Sequence, residues 1–190
     1  MNADDVLEFW FGTDSPTAAL DPRKEWFVKD AAFDARIRER FGALVDQALQ
    51  GPLGWDADPR QRVAEVIVLD QFPRNLFRGQ AQAFSGDSRA LQLALAIVDE
   101  GADKLLQPVQ RTFAYLPLEH AEDHALQARS VALFEALAAE APELQDTLVY
   151  ARKHQQVISD FGRFPHRNAA LGRPSTPEEV EYLAQPGSGF

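Results

Sequence analysis

An all-α fold is what this 190-residue sequence predicts, and three observations predict it. Helix-capping residues recur along the chain, apolar residues repeat at three- and four-residue spacing, and no Asn-Gly or Asp-Gly turn joins alternating runs. The length fits one domain, and 45% hydrophobic with 25% charged residues is ordinary for a chain that buries a core. The domain is expected over residues 1–185, with 186–190 as a flexible Pro/Gly/Ser tail.

Asn2 caps a first helix that runs through Phe11 and stops at Gly12. Asp21 followed by Pro22 has the form of a second helix start, since proline is preorganised for the first helical position. From Asp30, residues Phe33, Ile37, Phe41, Leu44, Val45, Ala48 and Leu49 mark one face of a long helix ending at Gly51. Pro52, Gly54 and Trp55 make the next loop. Asp58-Pro59 restarts a helix to about Asp70, which Phe72-Pro73 ends because the residue before proline avoids helical geometry.

Asp87 caps a helix from Ser88 to Glu100 with Gly101 behind it, and Pro108 begins another that stops at Leu116-Pro117. A long helix from Leu118 to about Glu140 follows, then one from about Glu143 to Ser159, broken by Gly162 and Pro165. Thr176-Pro177-Glu178-Glu179 forms a capping box that opens a last helix to Ala184. Such a series suits either a helical bundle or a right-handed stack of helix pairs, and no strict repeat decides between them.

Composition excludes several functions. A formal net charge of -10 with no Lys/Arg block repels phosphate backbones, so no nucleic acid is expected as a partner. No apolar run approaches the ~18 residues of a membrane span, and the N-terminus is acidic where an export signal is basic, so no membrane partner is expected. The absence of cysteine removes disulfides, thiolate nucleophiles and Cys-based metal sites, and fits a reducing cytoplasm. Glycine-rich phosphate loops are missing as well, and no cofactor is expected.

Projected at 100° per residue, several ionisable residues fall on apolar faces. Asp70 lies inside the stripe of Val63, Val66 and Ile67, with Glu65 opposite. Glu119 and Asp123 continue the stripe of Leu126, Val131, Phe134 and Leu137 upstream, with His120 at its margin. His154 sits within the stripe of Leu148, Ala151, Ile158 and Phe161. Buried charges need partners, and a repeated motif supplies them. Asp70-Gln71-Phe72-Pro73-Arg74-Asn75 is echoed by Asp160-Phe161-Gly162-Arg163-Phe164-Pro165-His166-Arg167-Asn168. In each, phenylalanine anchors the turn, proline stiffens it, and arginine offers a fork that fits a carboxylate.

Two readings fit this cluster. It is either a structural network that clamps helix to helix, or a pocket in which Arg, His and carboxylate converge on a ligand. In the pocket reading His154, His120, Asp70, Glu119 and Asp123 are the candidate catalytic residues. Arg74, Asn75, Arg163, His166, Arg167 and Asn168 are then the ligand-binding ones. His120 and His124 stand one turn apart, a spacing that can hold a metal, but the glutamate of a zincin motif is misplaced and no metal site is assigned. No Gly-x-Ser-x-Gly elbow offers a serine, so water would have to attack. Trp10, Trp26 and Trp55 are assigned to packing.

Val6-Leu7-Glu8-Phe9-Trp10-Phe11, Leu69 to Leu76, Tyr115 to Asp123 and Phe161 to Asn168 together carry a family resemblance across nearly the whole chain. By these strings the chain resembles the mainly bacterial domain of unknown function 924 family. The resemblance implies an all-α fold similar to tetratricopeptide-like superhelices, and it implies no activity. Ala121 stands where that family often has serine. The function expected is therefore a small-molecule pocket, for an anionic ligand or for hydrolysis by an activated water. The alternative is a helical scaffold that binds a peptide or protein partner, the polar cluster being structural.

Overall fold

The computed structural model describes residues 1–13, 15, 17–56 and 58–189, and among them every regular element is helical. Helix α1 (Ala3–Phe11) starts at a capping box between Asn2 and Asp5 and ends at Gly12, whose φ of 84° suits a residue without a Cβ. Trp10 and Phe11 enter an aromatic core with Trp26, Phe33, Phe72 and Phe113.

The helix expected after Asp21-Pro22 is only a 3-10 turn, Lys24–Trp26. Its bonds go elsewhere. The Arg23 guanidinium donates to the Phe9 and Trp10 carbonyls, and the Trp26 indole N–H donates to Trp10 O at 2.9 Å. The segment thus closes the C-terminal end of α1, whose last carbonyls have no helical partner.

Helix α2 (Ala31–Gln50) follows the sequence pattern: Asp30 caps it and Phe33, Ile37, Phe41, Leu44, Val45 and Ala48 are buried. Helix α3 (Pro59–Val66) begins at the Asp58 cap but does not stop at Phe72-Pro73. It widens into a π turn, Ile67–Gln71, and continues as α4 (Phe72–Leu76). In the π turn the Phe72 N–H reaches five residues back to Ile67 O. A proline ring in a regular helix collides with the carbonyl four residues earlier, here Leu69, and the extra residue in the turn relieves that collision. A Cβ placed on Gly86 would run into Leu69 O, so glycine is what lets the next helix start against the bulge.

Helix α5 (Asp87–Asp99) has Gly86 rather than Asp87 as its N-cap, which frees the Asp87 carboxylate for other partners. Helix α6 (Pro108–Glu119) is buried from Val109 to Glu119 and packs against α3, α5 and the two long helices that follow it. It runs through Pro117 instead of ending before it. So close to the helix end, proline forfeits one amide bond, and the surrounding helices hold the segment in place. The break lies at 120–123, and Asp123 caps α7 (His124–Glu140) by accepting from the Ala125 and Leu126 amides. Asp123 is therefore an exposed cap, not the inward residue that a helix starting at Leu118 would make it.

Helix α8 (Gln145–Phe161) ends at Gly162 with φ 69°, and α9 (Pro177–Leu183) opens with the predicted capping box at Thr176. In the tail Ser188 Oγ donates to Leu183 O at 3.1 Å and Gly189 lies against His166, while Phe190 is outside the described residues. Glu65 corrects another projection. It is 3% exposed, accepting from the Leu53 amide and from Arg89, because α3 is packed on more than one side and has no solvent face there. No helix among the described residues is long and apolar enough to cross a membrane.

Candidate functional site

The π turn carries Asp70, which has no exposed surface. Its Oδ1 accepts from His120 Nδ1 at 2.7 Å and lies 3.2 Å from Arg74, and its Oδ2 accepts from Gln71 at 2.6 Å. Arg74 also donates to the Asp70 carbonyl at 2.6 Å and forms a two-point pair with Asp87 at 2.9 and 3.0 Å. Arg167 meets the same Asp87 at 3.3 Å and donates to the His120 carbonyl at 3.0 Å. Both guanidiniums lie over the Phe84 ring, and Arg167 over Phe164 as well.

The protonation pattern follows from these contacts. Burial opposes charge on Asp70, but Arg74, His120 and the hydrogen bonds outweigh it and hold its pKa far below the usual carboxylate range. Burial and the Arg74 charge push His120 down to about 4 against the pull of Asp70. At neutral pH the pair is therefore carboxylate and neutral imidazole. An ionised Asp70 only accepts, so Nδ1 carries the proton and Nε2 keeps its lone pair. Nε2 has no hydrogen bond among the described residues. His120 lines a concavity of about 320 Å³ with Asp87, Ser88, Pro117, Ala121, Glu122, Asp123 and Arg167.

Arg167 stands out in that lining. It is 6% exposed, and its Nε is buried with no hydrogen-bond partner among the described residues. Burial and the neighbouring Arg74 lower its pKa to about 10, so it stays charged but under-neutralised. The acids around it are already engaged: Asp87 by two arginines, Asp123 by the α7 amides, and Glu122 by Arg173 and the Phe164 N–H.

His154 and Glu119 form a neighbouring pair. His154 Nδ1 lies 2.9 Å from Glu119 Oε1 and from the Tyr150 carbonyl, and its ring centroid is 6.1 Å from that of His120. His166, 5.6 Å from Phe164 centroid to centroid, is pushed down to about 3 by burial and by Arg167. Other predicted residues lie in separate networks. Asn75 donates to Asp34, which also pairs with Arg78. Arg163 pairs with Glu179, and Asn168 donates to Ser175 and Glu179. His124 is exposed at the start of α7, and no group of three or more His, Asp or Glu among the described residues is placed to hold a metal.

Asp87, Phe84 and Gln71 join the site although no pattern in the sequence marks them for it. Asp87 had the ordinary signature of a helix cap, and nothing local distinguishes a capping aspartate from one that two arginines clamp.

These histidines make a testable contribution to stability. Below pH 6.5 the unfolded chain takes up protons on His120 and His166, while the folded chain resists until about pH 4 and about pH 3. Their contribution is complete above pH 6.5 and is lost as pH falls, at up to roughly 1.4 kcal/mol per pH unit for each histidine. Denaturant unfolding between pH 7 and 4 should show this slope, and His120→Gln should reduce it by one proton. An unchanged slope in that variant would count against a buried neutral His120.

The sequence matches the family model described as bacterial protein of unknown function, DUF924, over residues 6–187. It is also similar to a solved structure of a protein of unknown function from Agrobacterium tumefaciens, at 36% identity over 96% of each chain, with a TM-score of 0.81. No curated protein matches it. With the family model spanning almost the whole chain, this all-helical protein belongs to the DUF924 family.

Proposed function

We propose that the concavity is a small-molecule pocket in which His120, oriented by Asp70, accepts a proton beside an anionic group held by Arg167. The observation that carries this reading is the fully buried, ionised Asp70 holding Nδ1 and leaving Nε2 as the basic atom of a residue lining an open concavity. Asp–His geometry of this kind suits removal of a proton from water or from a ligand. With water as the nucleophile, the reaction class is hydrolysis. A reducing cytoplasm, a bacterial source and a tetratricopeptide-like stack of helix pairs are parts of the same reading.

An imidazole at about 4 is a weak base, because burial and, after it, the positive field of Arg74 oppose its protonation. A bound anion would offset that field. The ligand's own negative charge would then strengthen the base that acts on it. Titrating the His120 ring by NMR with and without inorganic phosphate or acetate tests this. The expected result is a saturable rise of the His120 midpoint by a unit or more, abolished in Arg167→Met. No anion-dependent shift, or an equal shift in Arg167→Met, would defeat the reading.

A further inference from the structure

Three oxygen atoms on α6 and α7 are buried without a hydrogen bond among the described residues: Glu119 Oε2, Gln127 Oε1 and Ser130 Oγ. Their residues are 2%, 1% and 0% exposed. The Gln127 amide cannot be turned to solve this, because its Nε2 already donates to Glu119 O at 2.6 Å and Ala121 O at 2.8 Å. Oε1 is thereby fixed as an acceptor beside Glu119.

Gln127 and Ser130 are one turn apart on the same face of α7. The Glu119 side chain leans back toward the start of α6, as helical side chains do, and meets His154 at 2.9 Å. Helices α7 and α8 are consecutive and packed together, joined at 140–145, and Ser130 and His154 each lie roughly ten residues from that connection. Antiparallel packing therefore puts the hydroxyl level with the imidazole. A buried carboxylate oxygen and a buried amide oxygen both require donors, and the Ser130 hydroxyl has one hydrogen to give and makes no bond to either.

We infer that this cell binds one water molecule, which donates to Glu119 Oε2 and Gln127 Oε1 and accepts from Ser130 Oγ. Two donors and one acceptor match what the three atoms lack, and three protein partners is the usual number for a buried water. The site is independent of any ligand in the concavity. It ties α6 to α7.

A crystal structure of the full chain at a resolution that resolves waters, together with one from a crystal soaked in rubidium, tests this directly. The expected result is one light-atom peak within hydrogen-bonding distance of all three oxygens, and no anomalous signal there. An empty cell, or a rubidium peak showing a monovalent cation, overturns it. In solution, exchange-mediated cross-peaks between water and the Ser130 or His154 protons should be present in the native protein and lost in Ser130→Val. Cross-peaks absent from the native protein would contradict the inference even if the variant failed to fold.

Discussion

Arg74→Met is expected to lower folding stability by about 3–5 kcal/mol, the usual cost of removing one partner from a buried ion pair. Asp70 has no exposed surface, and Arg74 is the cation that makes its charge tenable. Asp87 would also lose its two-point partner and keep only the 3.3 Å contact with Arg167. The same substitution carries a second, opposite-looking effect. With the Arg74 charge gone, His120 should titrate at higher pH, because that charge is among the causes that depress it. Thermal unfolding and a ring titration of one variant check both parts. A stable variant with an unshifted His120 would show that Arg74 neither supports Asp70 nor sets the histidine.

Gly86→Ala should be nearly as damaging, at about 2–3 kcal/mol, although it adds a single methyl group. The new Cβ would collide with Leu69 O and stand 2.8 Å from the Leu69 carbonyl carbon. Both atoms are backbone in the π turn that carries Asp70, so no side chain can swing away. Relief would require α5 to move, and with it the Asp87 that Arg74 and Arg167 share. Gly42→Ala is the natural control. Gly42 is inside α2 with nothing within 4 Å of an added Cβ, so that change should be neutral or stabilising by up to ~1 kcal/mol. Denaturant unfolding of the two variants decides the matter, and equal stabilities would remove the argument from backbone contact.

The long surface helix was legible because it obeys one rule. Helix α2 has one buried face and a cap at each end, so periodicity alone located Asp30, Gly51 and the core positions between them. The two central helices were harder for a physical reason. Helices α3 and α6 are buried on several sides, so a single apolar stripe misassigned Glu65, and proline misplaced the ends of both. Proline is a local signal, whereas the π turn and the packing that carries α6 past Pro117 are tertiary.

The site divides along the same line. Asp70, His120, Arg74 and Arg167 could be gathered from charge on apolar faces and from the two arginine turns. The pairing of the second turn was not readable: Arg163 and Asn168 bind Glu179 of α9, an acid that the sequence presented only as part of a capping box. Asp87 was hidden in the same way. A residue type that suits two jobs announces the local one.

The proposed site depends on the state of one imidazole, and a nitrogen-detected NMR titration of His120 reads it directly. The prediction is a neutral ring at pH 7, protonated on Nδ1, with a midpoint near 4. A ring already cationic at pH 7, or a neutral ring protonated on Nε2, would contradict it.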